Sequence, residues 1–148
     1  MALAIATVAD SIAALSVTGV TIKDVDEIPA AVDPRQPTIL PKPDFVTGFV
    51  VERDSFGAGS AKMTVRYVLN YRFCYMPLGK GRAGKIENYD GIVDKVALFW
   101  DAVLAIDTLT GAVDIEPAGV VNMGLVNDPS DNIFLGCDLA VKVTEFVN

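Results

Sequence analysis

The segment where chemistry is easiest to imagine is Gly79-Lys80-Gly81-Arg82-Ala83-Gly84-Lys85, whose glycines and final lysine have the spacing of a phosphate-cradling loop. Position 86 is Ile, where Ser or Thr must hold magnesium. The segment also does not open directly into the helix whose N-terminal amides should face the phosphates. Val96 to Asp101 has the apolar run ending in Asp that completes such sites, but its spacing is helical. A basic loop is expected here, without nucleotide hydrolysis.

The interleaved Arg66, Tyr67, Tyr71, Arg72, Phe73 and Tyr75 would suit a platform on which single-stranded nucleic acid stacks. Strand alternation opposes that, because it puts the arginines and the rings on opposite faces. Carboxylates cluster at Asp24, Asp26 and Glu27 and again at Asp128 and Asp131, in neither case with the spacing of a calcium loop. Solvated turns are the expected explanation. The chain has no histidine, which removes imidazole bases and histidine metal ligands. Its two cysteines, Cys74 and Cys137, are too few for a disulfide scaffold or a four-thiolate zinc site, so reduced and packed thiols are expected. No catalytic residue, cofactor or metal is assigned, and the protein is expected not to be an enzyme.

The elements that must carry these residues follow from periodicity. Residues 2 to 15 put Ile5, Val8, Ile12 and Leu15 at helical spacing, and Val20 to Val25 can form a short strand. Five of the eight prolines then fall between Pro29 and Pro43, so an extended loop is expected there, with one edge strand near Thr38 to Leu40. Phe45 to Arg53 and Lys62 to Tyr75 form a long β-hairpin whose tip holds Gly57 and Gly59. Met63, Val65, Tyr67, Leu69, Tyr71, Phe73 and Tyr75 share one face of its second strand, and Arg66, Asn70 and Arg72 the other. Its length raises the expectation that it projects and pairs with something.

Tyr89 to Ile106 reads as a helix with Ile92, Val93, Val96, Phe99, Trp100, Val103 and Leu104 inward and Asn88 or Asp90 as N-cap. Ala112 to Met123 is a strand broken by Pro117 and Gly119, Asn127 to Asn132 is a turn, and Ile133 to Val147 alternates as a core strand. The expected fold is one α+β domain over residues 1–148, a mainly antiparallel β-sheet with a long β-hairpin and two α-helices packed on one side. The 148 residues suffice to bury about 70% of the unfolded surface, and 51% apolar content fits a packed globular chain. The apolar start has no basic residue before Lys23, unlike a signal peptide, and no run reaches a membrane-spanning length, so no membrane partner is expected.

The net charge of −7 disfavours nonspecific attraction to nucleic acid or anionic lipid. The charges are also segregated. Ser55 to Ile86 holds six basic residues and no acid (Lys62, Arg66, Arg72, Lys80, Arg82, Lys85), while Glu87 to Asp138 holds ten acids against Lys95 alone. Either the blocks neutralise each other within one subunit, or the basic block of one subunit meets the acidic block of the next in a salt-sensitive head-to-tail contact.

The N-terminal amphipathic helix, the Asp26-Glu27-Ile28-Pro29 turn, the proline-rich stretch to Pro43, the strand Lys62 to Phe73, the Tyr89 to Ile106 helix and the closing strand through Phe134, Gly136 and Leu139 together resemble the tail terminator proteins of long-tailed bacteriophages. The resemblance covers nearly the whole chain and lies in layout, with no exact motif. It implies a structural virion protein of the tail or neck, made in the host cytoplasm, that forms a ring, most simply a hexamer. Such a ring caps the tail tube, stops its growth and joins the head connector or stopper protein, while DNA passes through without sequence recognition. An acidic subunit suits that passage, since a basic lining would hold phosphates. Charge imbalance and length mark Arg66, Arg72, Gly57, Gly59, Lys80, Arg82 and Lys85 as candidate contacts with neighbouring subunits or the tube. The other readings are another ring-forming neck or tail tube subunit, and a non-viral cytoplasmic ligand-binding domain with an apolar pocket.

Overall fold

The computed structural model describes residues 3–53, 62–77, 86–106 and 113–147. In chain order they form helix α1 (Ile5–Ala13), strand β1 (Thr21–Ile22), a single 3-10 turn (Val25–Glu27), β2 (Thr38–Arg53), β3 (Met63–Pro77), helix α2 (Ile86–Leu104), β4 (Val113–Asn127) and β5 (Ile133–Val147). The strands make one mixed sheet in the order β1-β2-β3-β5-β4. β1 is parallel to β2, and the β2–β3, β3–β5 and β4–β5 pairs are antiparallel. The chain is thus an α+β protein with a mixed sheet, in which the two-residue β1–β2 pair is parallel beside the antiparallel pairs expected.

Alternation sorts the side chains of β3 and β5. Val65, Tyr67, Leu69, Tyr71 and Phe73 of β3 and Leu135, Cys137, Leu139, Val141 and Val143 of β5 are all buried in one cluster. Val8 and Ile12 of α1 and Ile92, Val96, Phe99 and Val103 of α2 complete it, so both helices cover the same face. The apolar stripe of α2 is narrower than its sequence pattern. Val93 and Leu104 were expected inward but stand outside at 51% and 61% exposure, and Trp100 is half-buried. The four buried positions follow a 4-3-4 spacing, which one contact line against a sheet satisfies. The helix also begins at Ile86, so Asn88 and Asp90 lie inside its first turns and do not cap it.

The proline-rich stretch is where the sequence expectation departs most. β2 starts at Thr38 and runs through Pro41 and Pro43 without ending. Among the described residues β1 reaches only Thr38 and Ile39, so the rest of β2 has one side open, the setting in which strands tolerate proline. The strand bulges between Pro41 and Val46, and the Asn70 amide of β3 fills the gap by donating to the Asp44 carbonyl (3.0 Å) and to Thr47 Oγ1 (2.8 Å). A second bulge falls at Gly48, whose φ of +63° favours glycine. β4 likewise passes Pro117 and Gly119 by bulging, not breaking, and continues to Asn127 as the opposite edge. Pro41, Pro43 and Pro117 therefore lie on β2 and β4, the two long strands with one side open among the described residues.

The hairpin of β2 and β3 does not stand alone in its described part. β5 accompanies β3 as far as Met63, which pairs with Val147. The expected glycine tip, Gly57 and Gly59, lies outside the described residues.

Candidate functional site: sheet edges and an uncovered face

The face of the sheet away from the helices carries a small apolar cluster at one end and, across its middle, a set of cross-strand ion pairs. Arg72 donates through Nε to Asp138 Oδ1 at 2.9 Å and through Nη1 to the Asn127 carbonyl at 3.2 Å. Lys42 Nζ lies 3.3 Å from the other oxygen of Asp138. Arg66 pairs with Glu52 on β2, and Lys142 with Glu116 on β4 at 3.5 Å. Burial pushes the Asp138 carboxyl up, but Arg72 and then Lys42 outweigh it and hold it below the usual carboxylate range.

Two of the interface residues expected from the sequence, Arg66 and Arg72, therefore sit on this face with acidic partners inside the same chain. Arg72 joins the basic block to the acidic block through Asp138, as within-subunit neutralisation requires. Arg66 takes its partner from outside both blocks. The remaining expected contacts, Gly57, Gly59, Lys80, Arg82 and Lys85, lie outside the described residues.

The flanks of the sheet expose apolar side chains that charge patterning could not flag. On β2, Val46, Phe49, Val50 and Val51 are exposed, with Phe49 stacked on Tyr67 at a centroid distance of 5.9 Å. On β4, Val120, Met123 and Leu125 are exposed. From Leu40 to Arg53 β2 has β3 as its one neighbour among the described residues, and β4 has β5. Each edge thus offers unpaired backbone N–H and C=O groups beside apolar side chains. The signal present in the sequence was the coincidence of prolines with otherwise strand-forming apolar runs.

Two acids do structural work that sequence reading missed. Glu145 continues the inward series of β5 and is 3% exposed, accepting from the Tyr67 hydroxyl at 2.7 Å and from the Ala4 amide at 2.6 Å. Asp128, expected in a solvated turn, is buried instead. Its Oδ1 accepts from the amides of Ser130 (2.9 Å) and Asn132 (2.8 Å), and its Oδ2 from the Val32 amide and the Asn132 side chain (both 3.0 Å). Burial raises its carboxyl, and these hydrogen bonds together outweigh that and lower it. The carboxylate thus caps the turn from inside, while the Asp131 amide closes it by donating to the Asp128 carbonyl at 3.0 Å.

Both cysteines are free and buried, Cys137 under the helices and Cys74 on the opposite face with Val32, Leu40, Val126 and Phe134. An apolar recess of about 300 Å³ lies between α1 and β2, lined by Ile5, Ala9, Val25 and Phe45 and rimmed by Asp10 and Asp24. A hydrogen bond with Asp24, and then its charge, raise the Asp10 carboxyl. Among the described residues no group of three or more Cys, Asp or Glu is arranged to hold a metal ion, and no helix is long and apolar enough to cross a membrane. No protein-family model matches the chain, and no curated protein does either.

Proposed function

We propose that this chain is a non-catalytic, ring-forming virion subunit, a tail terminator of a long-tailed bacteriophage. Beside the layout resemblance, one relationship supports the ring: the two open edges are in antiparallel phase. β2, β3, β5 and β4 alternate in direction across the sheet, so the two edge strands run opposite ways. Rotating a copy about an axis along the strands preserves every direction. It lays β4 of one subunit antiparallel to β2 of the next, a head-to-tail contact of the kind from which rings are built when the rotation closes. The exposed Val51 of one edge and the exposed Val120 and Leu125 of the other lie on the same, helix-covered side of the sheet, so this contact would bring them together.

If the helices face outward, the ion-paired face lines the channel. Its described cations, Lys42, Arg66, Arg72 and Lys142, each have a carboxylate partner, so the lining presents little unpaired positive charge to hold passing phosphates. The partners of such a ring are the tail tube end and the head connector or stopper.

Native mass spectrometry with negative-stain imaging tests this reading. A closed ring, most simply a hexamer of the 15.7 kDa chain, that binds tube ends is the expected result. Long filaments would make the chain a tube subunit. A monomer that stays a monomer when tail tubes are added would overturn the ring. In that case the recess of about 300 Å³ beside Phe45 favours a ligand-binding domain, since it reaches the lower size limit of small-molecule sites.

A further inference from the structure

The residues from Ile28 to Gln36 cross the uncovered face of the sheet at the end where β4 turns into β5, and they are held there by very little. Val32 is buried, while Ala30, Ala31, Asp33, Pro34, Arg35 and Gln36 are exposed. Val32 rests on Leu40, Cys74, Val126 and Phe134, a small apolar cluster separate from the main core. Two hydrogen bonds tie this segment to the turn: the Val32 amide donates to Asp128 Oδ2 at 3.0 Å, and the Ser130 hydroxyl donates to the Ala30 carbonyl. The seat is also loosely filled. A cavity of about 530 Å³ opens on one side of Val32, toward Pro77, Ile133 and Phe134, and another of about 390 Å³ on the other, toward Thr21, Lys23 and Pro29.

We propose that residues 28–36 form a strap that lifts from the sheet as a unit when the Asp128–Val32 clasp opens, uncovering Cys74 while the helix-covered core stays closed. One seated side chain and two hydrogen bonds set a small opening free energy compared with unfolding the sheet, and the flanking cavities leave room for Val32 to leave without displacing neighbours. Pro29 and Pro34 restrict the backbone of the lifted segment, and the Asp33 to Gln36 turn, closed by the Gln36 amide donating to the Asp33 carbonyl at 3.1 Å, travels with it. The proposal is independent of ring formation.

The chain carries its own reporter and control. Cys74 and Cys137 are both wholly buried, on opposite faces of the sheet, and burial pushes both thiols up to about 12. Neither thiol reacts while it is buried, so each labelling rate follows the opening that uncovers that cysteine. The test is alkylation of the folded full-length protein with iodoacetamide at one pH, each cysteine followed by peptide mass spectrometry. Cys74 is expected to react at least about tenfold faster than Cys137, because strap opening is more frequent than opening of the main core. Val32→Ala, which loosens the seat, and Ser130→Ala, which removes one tie, should each speed Cys74 several-fold further and leave Cys137 unchanged. Equal rates at the two cysteines in the unsubstituted protein would overturn the proposal, as would a fast Cys74 that neither substitution alters, which would assign the exposure to fraying of the β3 end. A variant that speeds Cys137 as well has lost its fold, and the unsubstituted comparison then decides.

Discussion

The Tyr67 hydroxyl donates a 2.7 Å hydrogen bond to Glu145, joining two residues of neighbouring central strands inside the core. The same carboxylate accepts from the Ala4 amide, so it also fastens the start of α1 to the end of β5. Glu145→Ala leaves both donors without this partner and is expected to cost about 2–3 kcal/mol, against about 1–2 for Tyr67→Phe. The two losses should not add, because both remove one contact. Denaturant unfolding of the two variants and their double mutant checks the magnitudes and the coupling.

Burial first, and Glu145 second, raise the Tyr67 phenol well above its ordinary value, and burial does the same for Tyr71. A raised phenol stabilises the fold fully below the unfolded tyrosine value of about 10, and that stability is lost as pH rises toward the folded value. Alkaline unfolding should therefore begin above about pH 10, with Tyr67 and Tyr71 ionising only as the protein unfolds. Phenolate absorbance and circular dichroism changing at separate pH values for these two residues would contradict it.

Asp138 has the opposite sign. Its carboxyl is depressed in the folded state, so its contribution is present above the unfolded carboxylate value and disappears as pH falls through the folded one. Arg72→Ala removes the main cause and should raise the pH midpoint of acid unfolding, at a neutral-pH cost of about 1–3 kcal/mol. An acid titration followed by near-UV circular dichroism measures both.

Asp10 is raised by its hydrogen bond with Asp24, then by the charge of that neighbour. Its contribution is present below the unfolded value and lost as pH rises through the folded one, so at neutral pH the pair is a liability. Asp10→Asn is expected to raise the melting temperature at neutral pH and to have less effect in acid.

Gly136 admits no side chain, because a Cβ there would collide with the Phe73 carbonyl on the paired strand. Backbone cannot move aside as a flexible side chain can, so Gly136→Ala must push β3 and β5 apart, at a cost of about 3 kcal/mol or more. A thermal melt measures it.

The edge strands supply the assembly prediction. A lysine at Val51 or at Leu125 adds charge to an exposed position, so the fold should tolerate it while ring formation fails. Mixing the two variants cannot restore closure, since each copy still spoils one of its edges. Sizing at fixed concentration, with circular dichroism as the folding control, distinguishes lost assembly from lost structure.

Much of this protein is written in its local periodicity. The alternation from Met63 to Tyr75 and from Leu135 to Val143 names the buried face of both central strands, because side chains on an extended chain must point to opposite sides. The helices are equally legible as segments, although α2 begins at Ile86 and its stripe excludes Val93, since where a helix starts and which flank touches the sheet depend on its packing. Even Glu145 stood on the inward series, its position readable though its partners were not.

What tertiary structure alone decided is everything that joins distant segments. Glu145 meets the Ala4 amide across 141 positions of sequence, and Asp128 meets Val32 across 96. No periodicity spans such separations, so a buried acid looked like a turn acid. The edges were hidden for the same reason. Pro41, Pro43 and Pro117 were read as interruptions, because a proline breaks a ladder only if a neighbour lies on the side where its N–H would have pointed. Only the order β1-β2-β3-β5-β4 shows that these prolines stand on strands with one side open among the described residues.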